Sequence, residues 1–150
     1  WAIRKMPEIL NVFKYHGAEH KTINAFESGA EMLPRIVQQY SLQHPRCGTS
    51  FILTVVITSL IIFTLLGSMS LPLLIISRLL FIAPIVMISY EYIRWISDHL
   101  DNAIVRILAT PNLNLQKLTT SEPTDAMVEV AISAFSKMLE MENENPRINN

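Results

Sequence analysis

Forty residues in the middle of the chain, from Phe51 to Tyr90, form an apolar segment that contains a single charge, Arg78. A helix needs ~20 apolar residues to cross the hydrocarbon core of a bilayer. The segment is therefore long enough for two crossings, which we place at about 51–68 and about 72–93, joined by the turn-forming letters GSMSLP. A buried hairpin of a soluble protein would show polar faces at helical spacing, and this segment has none. The pattern predicts a transmembrane helical hairpin.

The segments after the hairpin alternate apolar and polar residues at helical spacing. Beyond Tyr90 the apolar positions recur as far as Ile107, and the letters TPNLNLQKLTT at residues 110–120 predict a break. Capping residues and a proline then precede an amphipathic helix. Its apolar stripe comprises Met127, Ala131, Ala134, Phe135, Met138 and Leu139. The final letters, ENENPRINN, are polar and aperiodic, which predicts a disordered tail.

These patterns predict an all-α membrane protein in which helical flanks adjoin the hairpin. The turn carries no Lys or Arg, whereas six of these residues precede Phe51 and five follow Tyr90. The positive-inside rule therefore places both ends of the sequence in the cytoplasm, or in the equivalent compartment of an organelle. The predicted regions are a cytoplasmic part with sequence motifs at 1–50, the two spans within 51–96, a cytoplasmic helical region at 97–141 and the tail at 142–150.

Composition supports the membrane prediction and excludes some classes of protein. Half of the 150 residues are apolar, 17% are charged, and the mean hydropathy is positive, which is more apolar than an ordinary soluble domain. A formal net charge of -1 gives no reason to expect nucleic-acid binding. The single cysteine, Cys47, excludes an internal disulfide, so it is a thiol, a ligand or a packing residue.

The letters HGAEHK place two histidines four residues apart, at His16 and His20. On a helix this spacing puts both imidazoles on one side, where they can reach one metal ion. With Glu19 the order is H-x-x-E-H, the inverted zinc-peptidase arrangement in which the glutamate activates water. Gly17 lies inside the motif and lowers its helix propensity.

A second group of ligand types, in the letters QHPRCGTS, directly precedes the first span. His44 and Cys47 lie three residues apart, and His44 precedes a proline, which predicts a loop that presents both side chains. The alternative is that residues 48–50 cap the first membrane helix and that Cys47 packs without reacting.

The two groups together allow two kinds of zinc site. If His16, His20, His44 and Cys47 all bind the zinc ion, the site is closed and structural. If one coordination position of the zinc ion stays open and Glu19 acts as catalytic base, the protein is a hydrolase at the cytoplasmic membrane face. The rival hypothesis is a non-catalytic scaffold or assembly factor that binds a protein partner through the C-terminal helix. A transporter would require the chain to oligomerise or to gain further spans.

Three stretches resemble one known family: YHGAEHKTINAFESG at 15–29, HPRCGTSF at 44–51 and PNLNLQKLTTSEPTDAMVEVAI at 111–132. They are similar to the YqhQ-like bacterial membrane proteins of unknown function, which are also described as predicted metal-dependent enzymes. The resemblance implies an integral membrane protein with cytoplasmic motifs, and it implies a missing N-terminal part with further membrane segments. The polar site that it implies comprises His16, Glu19, His20, His44 and Cys47.

Overall fold

A computed structural model describes residues 5–144 of the protein, and all regular structure within that range is helical. The helices are α1 (Pro7–Glu27), α2 (Pro34–Val37), α3 (Gly48–Leu65), α4 (Leu71–Asp98), α5 (Ala103–Thr119) and α6 (Asp125–Glu144). The all-α prediction is therefore confirmed. Helix α6 includes residues 142–144 of the predicted disordered tail, and residues 145–150 lie outside the described range.

The chain divides into two compact units, of which the first joins the residues up to His44 to those from Gln116 onward. Helix α1 packs against α6 and α2 in this unit. The fully buried core residues are Ala18, Ala25, Val37 and Val128. Two of them are alanines seven residues apart on α1, and small side chains on one helical face allow a neighbouring helix to approach closely.

The second unit, residues 45–115, contains the two apolar helices as a hairpin. Helix α3 has 18 residues and α4 has 28, and both are long and apolar enough to cross a membrane. Only 11% of the most apolar window of α3 and 6% of that of α4 are buried, whereas the core helix of a soluble protein is mostly buried. Their exposed surface is apolar along most of its length, and a large exposed apolar surface is typical of a membrane or protein interaction site.

The structure corrects the predicted break at residues 110–120, because α5 runs through most of that segment and the chain turns at residues 99–102 instead. Helix α5 begins where it does because Oδ1 of Asn102 accepts a hydrogen bond from the amide of Ile104 at 2.8 Å. Pro111 lies inside the helix, where it removes one backbone hydrogen bond without ending it. A buried apolar contact between α5 and α4 stabilises the helix on the N-terminal side of the proline.

Gly17 allows the segment after α5 to lie directly against α1. A Cβ atom at this position would collide with the carbonyl oxygen of Ser121 and come within 2.8 Å of Cδ2 of Leu42. The amide of Ser121 also donates to the carbonyl of Phe13 at 3.0 Å, which holds the segment in place. The glycine that lowers the helix propensity of the HGAEHK motif is therefore required by packing.

We expect Gly17→Ala to destabilise the protein by about 1–3 kcal/mol, since a backbone oxygen has to move to make room for the methyl group. The measurement is thermal unfolding of the full-length protein in detergent. Gly48→Ala is the matched control, because Gly48 also lies in a helix and has open space around it. A helical Gly→Ala change without a clash should be neutral or stabilising. Equal effects of the two substitutions would contradict the packing role of Gly17.

Candidate metal centre

One face of α1 buries polar side chains. His16, His20 and Asn24 follow one another at four-residue steps, so they lie in a row along this face. His20 is 2% exposed, and His44, in the loop that follows α2, is 5% exposed. The HGAEHK motif lies on a helix, as the metal-binding interpretation of its spacing requires, and the loop predicted for His44 is confirmed.

Each of these three histidines uses its Nδ1 atom in a hydrogen bond to an oxygen. The pairs are His16 with the carbonyl of Thr119 at 2.9 Å, His20 with the carbonyl of Leu42 at 2.6 Å, and His44 with Oδ1 of Asn24 at 3.0 Å. Because an oxygen of this kind only accepts, Nδ1 carries the hydrogen in each pair. In the neutral imidazole the lone pair then lies on Nε2, the nitrogen that can bind a metal.

The three imidazole rings lie next to one another in the first unit. The ring centroids of His16 and His20 are 4.3 Å apart in an edge-on arrangement, and those of His20 and His44 are 5.9 Å apart. Ring nitrogens of His16 and His20 lie within 4.8 Å of each other. Two nitrogen ligands of a tetrahedral zinc ion are roughly 3.3 Å apart, so this separation is close to the spacing that a shared metal ion requires.

Asn24 connects α1 to the loop that carries His44. Its Nδ2 donates to the carbonyl of Ser41 at 2.9 Å and to that of Gln43 at 3.0 Å. These two bonds use the amide nitrogen, so they orient Oδ1 toward His44. Asn24 was not among the residues predicted from the sequence, although its spacing of four residues from His20 was a signal that could have found it.

Gln116 holds the backbone of His44 at two points. Its Oε1 accepts from the amide of His44 at 2.9 Å, and its Nε2 donates to the carbonyl of His44 at 2.8 Å. The Gln116 side chain is fully buried, so both bonds are shielded from water. No sequence signal pointed to this residue, since 72 positions separate it from its partner.

Lys21 is a second polar residue of α1 that the sequence analysis did not single out. It is 4% exposed, donates from Nζ to the carbonyl of Gln38 at 2.7 Å, and forms an ion pair with Glu122 at 3.1 Å. The carboxylate of Glu122 is largely exposed, so solvent screens the ion pair and the bond to Gln38 is the more protected of the two. Together these contacts tie α1 to the chain on both sides of the histidine cluster.

Glu19 lies in different surroundings from the three histidines, and Cys47 belongs to the other unit. Glu19 is exposed and lines a groove of about 430 Å³ between α1 and α6, whose other lining residues are mostly apolar and include no histidine. Cys47 belongs to the second unit, where it is buried and its Sγ lies 3.1 Å from Oγ1 of Thr49. The catalytic role of Glu19 and the ligand role of Cys47 stay predictions.

The fold defines the class of this protein, a helical protein with an apolar hairpin and a cluster of three histidines. The chain belongs to the family described as "Protein of unknown function (DUF1385)", which matches residues 1–141. It is 40% identical over 136 residues to the "Uncharacterized protein YqhQ" of Bacillus subtilis (strain 168). That match covers 91% of this chain and 43% of the relative, so the chain spans less than half of the relative's length. No solved structure matches.

These relatives confirm the family that the three motifs suggested. The names describe no metal and no reaction. The metal-dependent activity that the resemblance implied therefore gains no support from them.

We expect Asn24→Ala to lower the free energy of unfolding by about 1–3 kcal/mol, because the carbonyls of Ser41 and Gln43 lose their donor and His44 loses its acceptor. The imidazole of His44 should then no longer be held in the tautomer with the hydrogen on Nδ1. The tautomer of His20 should stay unchanged. Thermal unfolding and nitrogen NMR of ¹⁵N-histidine-labelled protein measure the two effects. The control is Ser133→Ala, which removes one exposed side-chain bond from α6. An unchanged His44 spectrum in Asn24→Ala would contradict the assigned role of Asn24.

Proposed function

We propose that this chain is part of an integral membrane protein that binds a zinc ion through the Nε2 atoms of His16, His20 and His44. The observation that carries the proposal is the hydrogen bond that each imidazole donates from Nδ1 to an oxygen. Histidines that ligate metals almost always donate their other ring N–H to a carbonyl, a carboxylate or water, which orients the ring and sets the tautomer. The same arrangement in three neighbouring histidines supports their assignment as ligands.

Zinc is the metal that best suits this set of donors. Neutral imidazole is a common zinc ligand, and three histidines are a known ligand set for zinc with a fourth position left for water or another group. Copper and nickel also bind imidazole, but zinc has no geometric preference of its own, so it accepts the spacing that the protein provides. The predicted ligand Cys47 would contribute a thiolate as a fourth donor.

The membrane orientation follows from the distribution of cations. The turn between α3 and α4 has no Lys or Arg, whereas the parts of the chain before and after the hairpin carry eleven of its twelve cations. With the hairpin in the bilayer, the positive-inside rule places both ends of the chain, and with them the three histidines, on the cytoplasmic side. The zinc site then lies in the cytoplasm.

Hydrolysis is a further step that depends on Glu19. A zinc hydrolase requires a base that reaches the zinc-bound water, and the carboxylate of Glu19 lines the groove toward α6. Zinc binding by the histidines does not depend on that carboxylate. The proposed function is therefore zinc binding. If Glu19 also acts as base, the protein is a zinc-dependent hydrolase at the cytoplasmic membrane face.

A non-catalytic scaffold that docks a partner on α6 is the alternative function. Helix α6 buries Val128 against α1 but leaves Val130, Met138 and Met141 about half exposed. These three residues recur at helical spacing and form an apolar stripe, of which Val130 and Met138 line the open groove between α1 and α6. Partner binding through this stripe is compatible with a zinc ion that only stabilises the fold.

The full-length protein, purified in detergent without chelators, should contain close to one zinc ion per chain by mass spectrometry. Replacing any one of His16, His20 or His44 with alanine should weaken zinc binding by at least about 100-fold. Loss of a residue that only hydrogen-bonds to a ligand typically weakens metal binding by about 10–100-fold, and loss of the ligand itself should weaken it more. His99→Ala is the matched control. His99 is an exposed histidine of the second unit that stacks on Trp95 and donates to its carbonyl.

Two further variants refine the result. Glu19→Gln should retain zinc, and loss of zinc in it would identify the carboxylate as a ligand. Cys47→Ser should weaken zinc binding only if the thiolate is a fourth donor. A well-folded protein without zinc, or zinc that persists after all three histidine substitutions, would overturn the proposed function.

A further inference from the structure

Arg78 is a charged residue in the middle of an apolar helix. It is the single charge between Phe51 and Tyr90, and that stretch contains no acidic residue that could neutralise it. Its guanidinium carbon lies 3.4 Å from the centroid of the Phe63 ring. Among the ion pairs between described residues, none involves Arg78. A cation at membrane depth is expensive unless an anion or water accompanies it.

The guanidinium lies toward the turn of the hairpin. Arg78 follows the start of α4 at Leu71 by about two turns, or roughly 10 Å. Side chains in a helix tilt toward its N-terminus, which in α4 is the end at the turn. Phe63, whose ring the guanidinium contacts, is in the last turn of α3, which ends at Leu65. The long side chain can therefore reach the headgroup region on the turn side of the bilayer.

An open pocket of about 450 Å³ surrounds this guanidinium. It is lined by Val56, Ser59, Leu60, Phe63, Thr64 and Arg78. The hydroxyl of Ser59 donates to the carbonyl of Val55 at 2.7 Å, and that of Thr64 donates to the carbonyl of Leu60 at 2.6 Å. Both hydroxyl hydrogens are thus used within α3, so Arg78 is the hydrogen-bond donor that this pocket offers to an anion.

We propose that Arg78 binds the phosphate group of a phospholipid in the leaflet on the turn side of the hairpin. A guanidinium has five donors in one plane and can bind two phosphate oxygens at once. The Phe63 ring holds that plane by a cation–π contact, and Val56 and Leu60 provide an apolar surface for the adjoining acyl chain.

A lipid is favoured over a second copy of the chain as the partner of Arg78, because the apolar part of the hairpin has no carboxylate to offer to this cation. The hairpin of another copy contains no Asp or Glu between Phe51 and Tyr90, so it cannot supply an anion at this depth. Phospholipid phosphate is the anion that every bilayer supplies next to an interfacial arginine. The proposal depends on the membrane insertion of the hairpin and is independent of the zinc site.

The test is native mass spectrometry of the full-length protein in detergent, titrated with phosphatidylglycerol or with a diacylglycerol that has the same acyl chains. The wild-type protein should retain phosphatidylglycerol at least tenfold better than Arg78→Gln does, and Arg78→Lys should retain it at an intermediate level. Diacylglycerol should bind weakly and equally to all variants. Arg94→Gln is the matched control, because Arg94 is an exposed arginine of α4 beside Glu91. Excess inorganic phosphate should leave the bound lipid in place.

Several results would overturn the proposal. Equal retention of phosphatidylglycerol by the wild type and Arg78→Gln would do so, as would displacement of the lipid by inorganic phosphate, which would show a site for the free anion. A change of oligomeric mass in Arg78→Gln without a change in lipid retention would assign the cation to a protein contact. Extraction of each variant with alkaline carbonate checks insertion separately, and a wild-type protein that leaves the membrane would remove the basis of the proposal.

Discussion

The bonds from the buried polar face of α1 to the backbone of the loop after α2 and to the end of α5 are the interaction on which the first unit depends. Residues 38–43 follow α2 and Thr119 is the last residue of α5, so their carbonyls have no partner in a continuing helix, and a buried carbonyl without a donor costs about 1–3 kcal/mol. Five of these carbonyls accept hydrogen bonds from side chains of α1, which are those of His16, His20, Lys21 and Asn24. Each bond contributes only about 0.5–1.5 kcal/mol net, but the set determines where both segments lie.

The same bonds fix the imidazole tautomer that the proposed zinc site requires. A backbone carbonyl that accepts from Nδ1 does more than stabilise the loop, since it also selects the tautomer whose lone pair lies on Nε2. His44 obtains this arrangement from Asn24, which the carbonyls of the loop orient in turn. The packing of the first unit and the proposed metal binding therefore depend on the same set of hydrogen bonds. Gly17 provides the space that lets the segment after α5 lie against α1.

Parts of this arrangement were predictable because they depend on local periodicity. Helix geometry alone predicts two long apolar helices from the length of the apolar segment, and it places His16 and His20 on one side of a helix from their four-residue spacing. The helix across Pro111 was not predictable, because packing of α5 on α4 outweighs the local cost of a proline. Gln116 was also out of reach, since its contact with His44 joins residues 72 positions apart and no local pattern records a contact of that range.

The central claim is that three imidazoles of one unit hold the metal through Nε2. The most direct measurement is the zinc K-edge X-ray absorption spectrum of the full-length protein carrying one zinc ion per chain. The account predicts three imidazole nitrogens at ~2.0–2.1 Å, with the outer-ring scattering that identifies histidine. A coordination shell of oxygen atoms without imidazole scattering would contradict it.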